Sequence, residues 1–318
     1  MRLIKILFSL ALFHLCCFAQ VPAEFTKTLP VSNTQPVTLR VDIEQGDLEI
    51  LYNHDGEVAI HAVAMAAPNA TVDAHYFSSA LVIEQEDHAI RVVYRPRETA
   101  SSGKLKLRFR IYVPFRTAVT TSVQQGATTL RGFLGPVDAH TLKGDISASY
   151  ISQQVHAEAE DGNLDFQVIG EPVLAKVGRG NITGQRLEKG IAAHTDDGDI
   201  SLMVIGPSLA EVAHGAGRIE VGGARSTLTL RTDAGDLQVT SSPYDDWHLD
   251  STTGNIRLHL PPTVNLRLEA SSDQGELKIE RDDLAGTSDK FLSRITRQAG
   301  AGSKLIAAHT EKGRITIR

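Results

Sequence analysis

The sequence predicts an all-β chain, a right-handed parallel β-solenoid with an N-terminal β-rich capping section. Three observations predict it. Glycines recur at Gly126, Gly144, Gly162, Gly180, Gly198, Gly217, Gly235, Gly254, Gly275 and Gly313, at intervals of 18, 18, 18, 18, 19, 18, 19, 21 and 38 residues. Columns fixed relative to that glycine keep one character from copy to copy. Within each copy apolar and polar residues alternate with period two, which is the mark of a strand and not of a helix.

Two residues after the glycine stand Ile146, Leu164, Ile182, Ile200, Ile219, Leu237, Ile256, Leu277 and Ile315, none of them polar. Seven before it stand Val137, Val155, Val173, Ile191, Ala210, Leu228, Trp247, Leu268 and Ile306. Each copy therefore reads as two short strands meeting at a glycine corner. The Asp or Asn that follows the glycine (Asp145, Asn163, Asn181, Asp199, Asp236, Asn255) is expected to bond its own backbone through the bend. Like residues at every eighteenth position favour coils stacked in parallel, about 4.8 Å apart, over a ladder of hairpins. Right-handedness follows from the crossover rule, which holds in about 98% of parallel connections. A third column, Ile151, Ile169, Leu187 and Ile205, adds an inward position to the early coils.

Residues 1–19, "MRLIKILFSLALFHLCCFA", read as a signal peptide: Arg2 and Lys5, an apolar run, then small residues before a cut after Ala19. Residues 20–34 read as an N-terminal linker and 35–120 as a β-rich section that covers the first edge of the stack. Residues 121–318 are the solenoid of about 18-residue coils, with an insertion at 281–304. Gly46 in "QGDLEI" reads as an isolated member of the same motif. The last edge, after Arg318, is either covered by the inserted segment or open to a partner strand.

Both cysteines, Cys16 and Cys17, leave with the signal peptide, so the mature chain has no thiol for disulfides, nucleophilic attack or metal ligation. Loss of Arg2 and Lys5 takes the formal charge from −6 to −8, without a basic block, which excludes a nucleic-acid footprint. No stretch reaches the roughly 20 apolar residues of a transmembrane helix.

The strings "IYVPF", "KGDISAS", "DGNLDF", "DDGDISL", "DAGDLQV", "TTGNIRLHLP" and "AHTEKGRITIR" resemble the bacterial putative adhesin family of β-strand-repeat domains, over about residues 35–318. That resemblance implies an exported or envelope-associated β-solenoid, adhesion by analogy of shape, and a link to envelope stress in some members. It supplies no residue-level site.

The residues themselves predict no catalytic, cofactor-binding or metal-binding site and no cofactor. The acidic groups Glu160-Asp161, Asp196-Asp197-Asp199 and Asp245-Asp246 read as solvated ladders, because the column before the glycine alternates sign as Lys143, Asp161, Arg179, Asp197. No two histidines stand at a ligand spacing; His140 and His194 share a column but lie three coils apart, about 14 Å. The histidines read as surface polar groups and Trp247 as core. If there is a ligand patch, it is expected at Tyr244, Asp245 and Asp246, in a one-residue expansion of the repeat that projects from a corner.

The function expected is an exported, non-enzymatic, adhesin-like scaffold, periplasmic, secreted or on the cell surface. It binds a protein or glycan of the cell envelope through its faces, with self-association through the C-terminal edge as a further contact. Two alternatives stand beside it: a solenoid carbohydrate-active enzyme, lyase or hydrolase, and an envelope-stress signalling module.

Overall fold

The computed structural model describes residues 23–31, 35–66, 76–96, 105–206, 210–284 and 293–318. The expected signal peptide lies outside the described residues. Each coil gives one strand to each of two 14-stranded sheets. Strands that follow the corner glycine form the first sheet, and strands that precede it form the second. The pairing is parallel and in register along the stack. Ile146 pairs with Leu164, Leu164 with Ile182 and Ile182 with Ile200, and these four side chains are at most 1% exposed. Across the interior Val137, Val155, Val173 and Ile191 pair in the same way in the second sheet. The core is thus a continuous aliphatic spine, in which each fully buried Leu, Ile or Val contributes about 1.5–3 kcal/mol.

Glycine is required at the corner by contact as well as by conformation. A Cβ on Gly162, whose φ is +154°, would lie 2.0 Å from the carbonyl oxygen of Gly144 one coil back, and Gly144 stands in the same relation to Gly126. The Asx residue beside it does not bond its own bend, as expected from the sequence. It bonds the next coil instead. Asp145 Oδ1 accepts the Asn163 backbone N–H at 2.7 Å, Asn163 Oδ1 that of Asn181 at 2.9 Å, and Asn181 Oδ1 that of Asp199 at 2.7 Å. Stacking at strand spacing brings the next coil's N–H within reach of a short side chain, so the corner becomes a ladder of side chains alongside the backbone ladders.

The third inward column has a backbone cause. Tyr150, Val168 and Arg186 have φ of 56°, 57° and 55°. Each bulges out of the pairing, which shifts the alternation by one and turns Ile151, Ile169 and Leu187 inward, at most 1% exposed. In the second sheet a further inward column stands three before the glycine and is often polar: Thr195, His214, Ser251 and Thr310. Their side chains donate to the corner carbonyl one coil back. Thr195 Oγ1 reaches Gly180 O at 3.1 Å, Ser251 Oγ reaches Gly235 O at 3.2 Å, and Thr310 Oγ1 reaches Gly254 O at 3.0 Å. His214 Nε2 contacts Gly198 O in the same way. His214, at 3% exposed, is therefore an interior residue and not the surface group expected, because the corner carbonyl gives its ring a partner.

The ends do not follow sequence order. Val37–Gln45 and Asp47–Tyr52 form a coil around Gly46, which belongs to the glycine column directly beneath Gly126. Leu105–Val113 and Ala89–Tyr94 then pack outside this first coil, and the chain returns past it to Thr117–Gln125. Antiparallel strands close that end. In the first sheet these are Glu57–Ala66 and Ala23–Pro30, the latter within the stretch expected as a linker; in the second it is Leu81–Glu86. Phe77, on the short helix Tyr76–Ala80, packs with Phe25, Tyr94 and Phe109. Burial, then the hydrogen bond to Tyr76, pushes the Tyr94 hydroxyl well above its ordinary pKa.

At the other end the last coil in sequence is not the last in space. Leu305–Lys312 pairs with both Trp247–Thr253 and Leu266–Ser272. Ile315–Ile317 pairs with both Ile256–His259 and Leu277–Ile279. The C-terminal strand is therefore interior and offers no edge, which corrects the expectation of an edge after Arg318. The outermost strands are Leu277–Ile279 and, within the expected insertion, Arg294–Ala299, antiparallel to Leu266–Ser272. Arg281, 8% exposed, pins the connection that bypasses the inserted coil: its guanidinium donates to Leu260 O, Pro261 O and Pro262 O at 3.1, 2.6 and 3.1 Å.

Candidate functional site

Alternation along each strand leaves the outer face of the second sheet to every second residue. Across the coils from Val137–Lys143 to Ala210–Ala216 that face carries two adjoining hollows. One, of about 680 Å³, is lined by Pro172, Leu174 and Ala192 between Lys189 and Glu211. The other, of about 400 Å³, is lined by His140, Leu142, Glu158, Lys176, Gly178 and Asp196. Leu174 is 50% exposed and Leu142 45%, so each hollow holds one half-exposed leucine.

Along the border between the hollows the register places Asp138 opposite His156 and His140 opposite Glu158. Asp138 Oδ1 lies 2.9 Å from both His140 Nε2 and His156 Nδ1. Glu158 takes the far side of both rings, at 3.5 Å from His140 Nδ1 and 3.3 Å from His156 Nε2. The two rings are perpendicular, 5.3 Å apart between centroids. Sequence spacing alone concealed this pair. His156 sits sixteen residues after His140, one coil less two, which makes the two histidines diagonal neighbours on adjacent strands.

Of the other acidic groups, Asp161, Asp199, Asp245 and Asp246 bond across coils, whereas Asp196 contacts a histidine of its own strand. Arg179 grips Asp161 with two bonds, of 2.7 and 2.5 Å, and His194 contacts Asp196 at 2.9 Å. Asp199 Oδ1 accepts the Arg218 backbone N–H at 2.8 Å. Trp247 is fully buried, its indole N–H donating to Ser226 O at 3.3 Å. Tyr244 is 57% exposed at its corner, with the Arg225 guanidinium 5.9 Å from the ring centroid. Asp245 accepts from Thr227 Oγ1 at 3.1 Å, and Asp246 Oδ1 accepts the Leu305 backbone N–H at 2.8 Å. Asp246 thus holds the start of the inserted coil, a structural task.

Residues 78–318 match the model of a family described as Toastrack DUF4097. No curated protein matches the sequence. Among solved structures the chain is similar to three described as a putative cell adhesion protein or putative adhesins. The first, from Clostridium sporogenes, is 10% identical over 93% of this chain and 99% of that one, with a TM-score of 0.27. The second, from Bacteroides fragilis, is 10% identical over 93% and 97%, with a TM-score of 0.40. The third, from Parabacteroides distasonis, is 10% identical over 94% and 98%, with a TM-score of 0.40.

Proposed function

The chain belongs to the Toastrack DUF4097 family, and from that premise we propose that it is an exported, adhesin-like scaffold holding a protein or glycan of the cell envelope against the outer face of its second sheet. The observation that carries this reading is the pair of adjoining hollows on that face. Leu174 and Pro172 form an apolar floor between charged rims at Lys189 and Glu211, on strands that the ladder holds rigid. Covering one half-exposed leucine is worth about 1 kcal/mol, and the rigid face avoids the ordering cost that flexible binders carry. The corner at Tyr244 and Asp245, which Asp246 helps to hold in place, is a second point of contact in the same reading.

Pull-down from the native envelope tests it, with wild type and Leu174→Glu compared side by side. The wild type is expected to retain a partner that Leu174→Glu loses. Retention by Leu174→Glu, with loss in Met203→Glu on the opposite sheet, would move the binding face and overturn the assignment. Mass spectrometry of the mature N-terminus tests export independently; a chain starting at Gln20 is expected.

A further inference from the structure

Asp138, His140 and His156 each offer one metal-ligating atom, all within 4.8 Å of one another. Four ring nitrogens face carboxylate oxygens, at 2.9, 2.9, 3.3 and 3.5 Å. Two neutral imidazoles carry only two N–H groups between them, and the carboxylates carry none. With both rings neutral, two nitrogen lone pairs are therefore aimed at oxygen lone pairs, a mismatch that a bound cation or two further protons would remove.

We propose that this cluster is a binding site for a divalent transition-metal ion of the zinc class, with Asp138 Oδ1, His140 Nε2 and His156 Nδ1 as ligands and Glu158 as their outer partner. The two N–H groups then point to Glu158, and the cation takes the place of the missing protons on the Asp138 side. Two carboxylates, two neutral imidazoles and a dication sum to zero charge. Ligands about 2.0–2.1 Å from a tetrahedral zinc stand roughly 3.3 Å from one another; two of the separations here are 2.9 Å and the third, between the two ring nitrogens, is within 4.8 Å, so small rotations of partly exposed side chains bring all three to that spacing. Imidazole nitrogen with one carboxylate is a donor set that suits zinc, copper and nickel, and not calcium or magnesium. A carboxylate bonded to the distal N–H of each ligating histidine is the usual outer arrangement of such sites, and Glu158 serves both rings at once.

Three protein ligands leave a fourth position open, on the border between the two hollows. An ion here presents an exchangeable coordination site to whatever lies on the face. Metal binding itself does not depend on the partner reading and is measured without one.

Zinc chloride titrated by calorimetry into tag-free, chelator-stripped protein is expected to bind at one ion per chain. Cobalt(II) in its place is expected to give the intense visible bands of a tetrahedral site. His140→Ala and His156→Ala should each weaken zinc about 100-fold or more, and Glu158→Gln about 10- to 100-fold. His194→Ala, in the same column with its own Asp196, should leave affinity unchanged. All four cluster side chains are at least a third exposed, so the variants are expected to fold, and circular dichroism checks that they do. Absence of zinc binding in the wild type, or equal affinity in the His140→Ala/His156→Ala double variant, overturns the site.

Discussion

The backbone N–H of Arg314 donates to Asn255 Oδ1 at 3.0 Å across 59 residues of sequence. The bond is one more rung of the corner ladder, made by a coil that arrives last and enters between two coils already laid down. Gly313 repeats the relation, standing against Gly254 on one side and Gly275 on the other.

Deleting residues 303–318 should therefore open a slot in both sheets, not shorten the stack by one coil. Unpaired strands on each side of a slot are templates for another chain. The truncated protein is expected to lose its cooperative transition or to associate. A synthetic peptide of residues 303–318 added in trans should restore the monomer and its melting temperature. A truncated chain that stays monomeric with an unchanged melting temperature would contradict the inserted coil.

Gly162→Ala places a Cβ 2.0 Å from Gly144 O at a φ of +154°. Backbone strain of about 1–3 kcal/mol adds to a clash that only separation of two coils relieves. A loss of about 3 kcal/mol or more in denaturant unfolding is expected. A loss below 1 kcal/mol would show that the coils are not stacked this closely.

Val168 predicts the opposite sign. A β-branched residue at φ 57° carries roughly 1–2 kcal/mol of strain, and its place in the bulge is fixed by the coils on either side. Val168→Gly gives back part of that gain as unfolded-state entropy. A net stabilisation of about 0.5–1 kcal/mol is expected from urea titration; destabilisation would mean that the Val168 side chain contributes more through packing than its backbone loses.

The columns at Ile146, Leu164 and Ile182 were legible in the sequence because period two and a marked corner fix both face and register. Trp247 was placed in the core on the same ground. The position of the 305–317 coil was not legible. All copies share one pattern, so the alignment that finds Gly313 cannot say which two glycines it lies between; only the pairing of Leu305–Lys312 with two strands decides that. Side-chain direction was also hidden at Asn163, whose amide oxygen reaches a neighbouring coil. The His140–His156 pair was missed because a column search follows strands straight across, whereas these rings meet on the diagonal.

Asp236 makes part of the corner ladder dependent on pH. Burial alone would raise its carboxyl pKa. The Asn255 backbone N–H, the Arg257 guanidinium and the Asn255 side-chain amide together outweigh burial and hold it below the usual carboxylate range. The bonds measure 2.8 Å from Asn255 N and 2.6 Å from Arg257 Nη1. A carboxyl with a folded-state pKa below its unfolded value stabilises the fold fully above the unfolded value, and loses that contribution as pH falls through the folded one. Asp236→Asn keeps the acceptor for Asn255 but discards the charge facing Arg257. Wild type should therefore exceed the variant in stability at pH 7, the gap should begin to close near pH ~4, and the two should converge below the folded pKa. Glu280 and Asp283, whose pKa values are also lowered, are common to both proteins and cancel in the difference. Denaturant unfolding of the pair at pH 7, 5, 4 and 2.5 measures the gap. A gap independent of pH would mean that the substitution acts through packing at the corner and not through the charge.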